Sequence, residues 1–183
     1  MNEKSKCILC EKEAEKSGIQ GKDGYLVQCA TCGKYFLASP EIFEGRYTSM
    51  PREKRRMISS YTRNLFEHGE EWPELGDDDL LRDIIAEYES KTLDEKLENL
   101  IWYIRKNSPQ FGDSVSLDDK KDYPITYSLS PQGFTEIRNT AIDRNLLEWP
   151  ARGTGYKLIE DGWRLGTKLL EGKIDQEKDI TNG

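Results

Sequence analysis

Apolar residues recur at helical spacing in four separate stretches of this chain. Met57, Ile58, Tyr61 and Leu65, with Phe66 beside them, follow the 3, 4 and 7 spacing of one helix face. The spacing predicts a helix from Ser49-Met50-Pro51 to about His68, closed by Gly69. Leu80, Leu81, Ile84, Ile85 and Tyr88 mark a second helix, with Asp77, Asp78 and Asp79 at its start, where the helix dipole favours negative charge. Leu93, Leu97, Leu100, Ile101 and Ile104 make a third stripe behind Thr92-Leu93-Asp94-Glu95, a capping box. Phe134, Ile137, Ala141 and Ile142 make a fourth, opened by Ser130-Pro131 and running to about Asn145.

Between and around these helices the pattern changes. Tyr25-Leu26-Val27 and Tyr35-Phe36-Leu37 are short apolar runs of strand length among cysteines and glycines. Ser39-Pro40 suits the N-cap and first position of a short helix. Residues 108–123 read as a polar loop, and Glu70 to Gly76 as a connector holding Trp72 and Pro73. Leu147-Glu148-Trp149 and Tyr156-Lys157-Leu158 read as two strands around a glycine-bearing turn, followed by a helix from about Glu160 to Glu171. The expected class is α+β and mainly helical. Its segments are a four-cysteine zinc ribbon (1–40), a helical middle (41–90), a winged helix-turn-helix-like domain (91–172) and a flexible tail (173–183).

Composition narrows the classes. With 36% hydrophobic and 33% charged residues, the chain has the balance of a soluble globular protein. No apolar run approaches the ~20 residues a membrane helix needs, and Met1 to Lys6 lacks the apolar stretch of a signal peptide, so a cytoplasmic, membrane-free setting is expected. The formal net charge of −7 opposes a protein held to nucleic acid mainly through phosphates.

The chemistry concentrates in the cysteines. Cys7-Ile8-Leu9-Cys10 and Cys29-Ala30-Thr31-Cys32 give C-x2-C, 18 residues, C-x2-C, a spacing for one tetrahedral metal. Each knuckle brings two thiolates to one ion at ~2.3 Å, and zinc is the metal such a set selects. With all four cysteines used, the site would be closed and structural. An iron–sulfur cluster and a redox dithiol are the alternatives. Gly33 suits the left-handed turn behind the second knuckle, where the first has Glu11, and Lys6, Lys12 and Lys34 lie near enough to offset the excess thiolate charge.

Elsewhere nothing suggests catalysis. The single histidine, His68, lacks a cysteine or serine partner in a recognisable setting, and no P-loop, Gly-x-Gly-x-x-Gly or His-Glu-x-x-His pattern occurs. Arg55 and Arg56 belong to the most basic run and are candidate phosphate contacts, although a solvated helix face is the simpler reading. Gln132, Thr135, Arg138 and Asn139 are read as the outward face of their helix, with side chains able to address base edges. Arg152 in the glycine turn is the candidate for a minor groove.

The order of Leu93–Asn107, Pro131–Asn145, the Leu147–Leu158 hairpin and the Tyr156-to-Trp163 close resembles a winged helix-turn-helix. Ile159 stands where its closing motif usually has threonine. From the paired knuckles with Gly33-Lys34-Tyr35, the Arg55–Arg63 helix and that close, the chain also resembles a group of bacterial proteins joining a zinc ribbon, a helical linker and a winged-helix-like module. In that group the module often precedes a nucleoside-deoxyribosyltransferase-like or TIR-like effector domain, in stress or antiviral defence settings. No effector is expected in the residues after Gly172, so the resemblance implies a non-enzymatic regulatory or sensor module that recognises a macromolecule. Its partner would be nucleic acid, another protein or an effector domain. A winged-helix transcription regulator and a protein–protein adaptor or oligomerisation module are the competing classes.

Overall fold

The structure, a computed structural model, describes the backbone of residues 3–149 and 155–181, and their side chains except at 41, 42 and 173–181. Arg152 and most of the glycine turn lie outside the described residues. The chain is mixed α/β and divides into two compact units. One comprises residues 1–91 with 120–131, the other 92–119 with 132–183. Ribbon and helical middle therefore fold together, and that unit also takes a short piece from the segment expected to be loop and winged helix.

In the first unit, four strands run β1 (Glu3–Lys6), β2 (Glu13–Gly18), β3 (Gly24–Cys29) and β4 (Gly33–Ala38), each antiparallel to the next. A two-residue β5 (Glu74–Leu75) adds to β4 in parallel, inside what the sequence reads as connector. The helices are α1 (Pro40–Ser49), α2 (Arg52–His68) and α3 (Asp78–Ser90). Tyr35, Phe36 and Leu37 are all buried, so β4 is covered on both faces, which explains its unbroken apolar run.

Several local signals act as read. Gly69 takes φ 74° at the C-cap of α2, and the Asp77 carboxylate accepts from the Asp79 backbone N–H at 2.8 Å. Ser39 sits at the N-cap of α1, as expected, with Pro40 behind it, but its φ is 40° and its hydroxyl makes no cap hydrogen bond, donating instead to Asp23 at 2.9 Å. Helix α2 is not one-sided either. Its buried set adds Arg55, Ser59, Ser60, Thr62, Arg63 and Asn64 to Met57 and Ile58, while Phe66 is exposed. The segment 120–131 forms the last residues of a short helix and a 3-10 turn (Tyr123–Thr126) that packs on α2, where the Asn64 amide donates to the Pro124 carbonyl at 3.1 Å.

In the second unit, α4 (Leu93–Lys106) opens on its Thr92/Glu95 capping box and packs against α7 (Glu160–Thr181), which runs past the expected end at Glu171. The side chains Leu97, Leu100, Ile101 and Ile104 are buried, as the stripe predicts. Between these helices lie α6 (Pro131–Asp143) and a sheet of three short strands, β6 (Ser114–Val115), β7 (Leu147–Glu148) and β8 (Tyr156–Leu158), in the order β6-β8-β7. Strand β6 falls in the stretch read as polar loop. Gly162 explains its place in α7: a Cβ there would lie 1.9 Å from the Leu146 carbonyl oxygen, so only glycine lets α7 start against that loop. The four-residue helix Asp119–Asp122, here named α5, spans the boundary between the units. Among the described residues, no helix is long and apolar enough to cross a membrane.

Candidate metal centre

The two knuckles meet. Cys7 and Cys10 sit in the turn between β1 and β2, Cys29 ends β3 and Cys32 lies in the turn before β4, so neighbouring hairpins of one sheet bring both pairs together. The four sulfurs lie within 4.8 Å of one another, with Cys7 Sγ 3.6 Å from Cys32 Sγ and Cys10 Sγ 3.5 Å from Cys29 Sγ. A tetrahedron with ~2.3 Å bonds has edges of ~3.8 Å. The set can hold a metal ion, and the cysteines are free thiols rather than disulfides. Cys7, Cys29 and Cys32 are buried and Cys10 is half-buried.

Four thiols this close resist ionising together. Burial and the neighbouring sulfurs push the Cys32 thiol up, and hydrogen bonding to Cys29 pushes Cys10 up, while Cys29, stabilised by Cys10, is held down. A divalent cation at the centre of the cluster reverses this opposition, since its charge deprotonates every coordinating thiol.

The backbone supports the same geometry. Glu11 and Gly33 each follow the second cysteine of a knuckle, and both are left-handed, at φ 65° and φ 74°. The knuckles are therefore near-copies, but their tolerance differs. A Cβ at Gly33 would come 2.7 Å from Phe66 Cβ and 2.9 Å from the Thr62 carbonyl oxygen, because α2 lies directly over that turn. Glu11 points its carboxylate to Arg55 instead, at 2.8 Å, and that guanidinium holds the carboxyl below its usual range.

Helix α2 supplies the outer layer. Arg55, Ser59, Thr62 and Arg63 recur at helical spacing on one face. Arg55 donates to the Ile8 carbonyl at 3.2 Å, Ser59 to Cys32 Sγ at 3.0 Å, Thr62 to the Cys32 carbonyl at 2.7 Å, and Arg63 to the Ala30 carbonyl. Tyr35 places its hydroxyl 3.2 Å from Cys7 Sγ, and burial keeps that phenol protonated, so it can donate to a thiolate. Lys12, expected as a charge balance, donates to Thr31 Oγ1 at 2.9 Å. The cysteine spacing does not point to these helix residues. Their signal is a run of hydroxyls and arginines inside an otherwise apolar helix pattern.

The remaining candidates are scattered. Arg55 is only 8% exposed and engaged by Ile8 and Glu11, so it belongs to the metal centre's surroundings. Arg56 is half-buried and donates to the Leu129 carbonyl at 2.5 Å. On α6, Gln132 and Asn139 are exposed, and Thr135 donates to Asp119 at 3.2 Å. Arg138 corrects the sequence reading: it is 7% exposed, paired with Asp119 at 2.7 Å, and lies near the Phe134 and Tyr156 rings. Its charge serves the interior of its own unit rather than an outward face. Comparison with family models, with curated proteins and with solved structures finds no match to this chain.

Proposed function

We propose that this chain is a non-enzymatic binding module, with one structural zinc ion on Cys7, Cys10, Cys29 and Cys32 organising its first unit. The observation that carries the metal reading is the closeness of the four sulfurs, backed by donors from Ser59 and Tyr35 that suit thiolates. All four protein ligands are used, which leaves no open position for substrate and makes the site structural. Zinc held this way stabilises zinc-finger peptides by about 10–16 kcal/mol at neutral pH. Here it would join both hairpins and anchor them to α2.

The second unit is read as a winged-helix-like recognition module. Its element order, with β6 pairing to the β7–β8 hairpin, supports that reading. A regulatory or sensor role follows, in which this unit meets the macromolecule and the metal organises the first unit. Between the two candidate partners, a protein is favoured over DNA. Arg138 is internal, whereas Trp149, just before the glycine turn, is 59% exposed and offers an aromatic anchor. Gel shifts on random duplex at ~50 and ~200 mM salt test the choice. Little binding at either salt is expected, and tight, steeply salt-dependent binding would favour DNA.

A further inference from the structure

An acidic chain of net charge −7 gathers four of its cations around one small pocket beside the first knuckle. Lys12, Arg52, Arg56 and Lys120 line it, Tyr123 forms part of its wall, and Cys10 lies at its edge. Glu11 is the one carboxylate among the lining residues; it pairs with Arg55 at 2.8 Å and also feels the charge of Arg52. The cations come from the first knuckle, the start of α2 and the 120–131 segment, all within the first unit. The Tyr123 ring ties them together, with Lys12 Nζ 5.7 Å and the Arg56 guanidinium 6.0 Å from its centroid. Lys12 also donates to the Lys120 carbonyl, which joins the knuckle to that segment.

Like charges brought this close repel one another unless something negative sits among them. The thiolate cluster accounts for part of that demand, since four thiolates around a divalent ion leave two negative charges. Arg52 and Lys120 are exposed residues lining the pocket, where an external anion can reach them. Helix α2 begins at Arg52 without a side-chain cap, so the positive end of its dipole adds to the same field. The pocket measures about 170 Å³, below the ~300–1,000 Å³ that enclose larger ligands, which limits it to a compact group.

We infer that this pocket binds the phosphoryl group of a small phosphorylated molecule, with Lys12, Arg52, Arg56 and Lys120 as its cationic contacts. Because the first knuckle forms one wall, the inference rests on the metal reading, and ligand and metal should stabilise each other.

The test is calorimetric titration of the full, metal-loaded chain with inorganic pyrophosphate and, separately, with a nucleoside monophosphate. The metal content of the same sample is measured alongside. Saturable binding of pyrophosphate, of the nucleotide or of both is the expected result, and comparison of the two shows whether the nucleoside adds affinity. Arg52→Glu and Lys120→Glu change exposed residues and should each weaken binding by about tenfold or more, with metal content unchanged. No heat from either ligand at millimolar concentration would overturn the inference, as would binding that neither substitution alters or binding confined to nucleic acid. Stoichiometric metal with no anion binding would sink this inference alone. Anion binding by a chain that takes up no metal would sink the zinc reading and leave the pocket standing.

Discussion

Single residues decide whether the knuckles close. Gly33 and Glu11 hold the same left-handed conformation, yet only Gly33 lies against a helix backbone. Gly33→Ala adds about 1 kcal/mol of left-handed strain and a backbone clash, for an expected loss of about 2–4 kcal/mol in urea unfolding. Glu11→Gly relieves the same strain but removes the carboxylate partner of the buried Arg55, so it should cost about 0–2 kcal/mol, less than Gly33→Ala. Equal effects of the two would show that α2 does not cover the second knuckle. The cysteines were the clearest signal in the sequence because their spacing alone defines a ligand set. Nothing comparable marks Tyr35, whose hydroxyl reaches Cys7 only because β4 is buried on both faces.

At the scale of elements, α2 is the connector between metal centre and core. Arg63 is 6% exposed and holds Glu67 at 2.7 Å, Asp122 at 3.1 Å and the Ala30 carbonyl. Arg63→Ala leaves two largely buried carboxylates without that partner and should cost about 3–5 kcal/mol in chemical denaturation. Arg63→Lys should recover only part, because an ammonium cannot span three acceptors as a planar guanidinium does. Full recovery would mean that charge alone matters there. Helix ends were legible where a side chain or glycine closes them locally, as at Thr92, Asp77 and Gly69. Strand β6 was not, since two residues, Ser114 and Val115, are strand only through pairing with β8. Arg55 and Arg138 were read as surface because charge normally is, and only partners distant in sequence, Ile8 and Asp119, override that expectation.

For the whole molecule, the division into two units has a thermodynamic consequence. On the zinc reading the first unit depends on the metal, while the second has its own core around α4 and α7. Chelation should lower the melting of the first unit and leave a second calorimetric transition nearly in place. A single transition that shifts as a whole would show the two units unfolding together. Acid acts in the same direction as chelation. Metal needs thiolates, so stability conferred by the ion is present near neutral pH and lost as pH falls and protons displace it. The apo chain should show a much shallower dependence over that window.

One claim underlies the rest: a single metal ion sits on Cys7, Cys10, Cys29 and Cys32. X-ray absorption at the zinc edge, on protein whose metal content has been counted, addresses it most directly. The account predicts one zinc per chain with four sulfur neighbours at ~2.3 Å and no nitrogen or oxygen in the first shell. Substoichiometric metal, or a shell with fewer than four sulfurs, would contradict it.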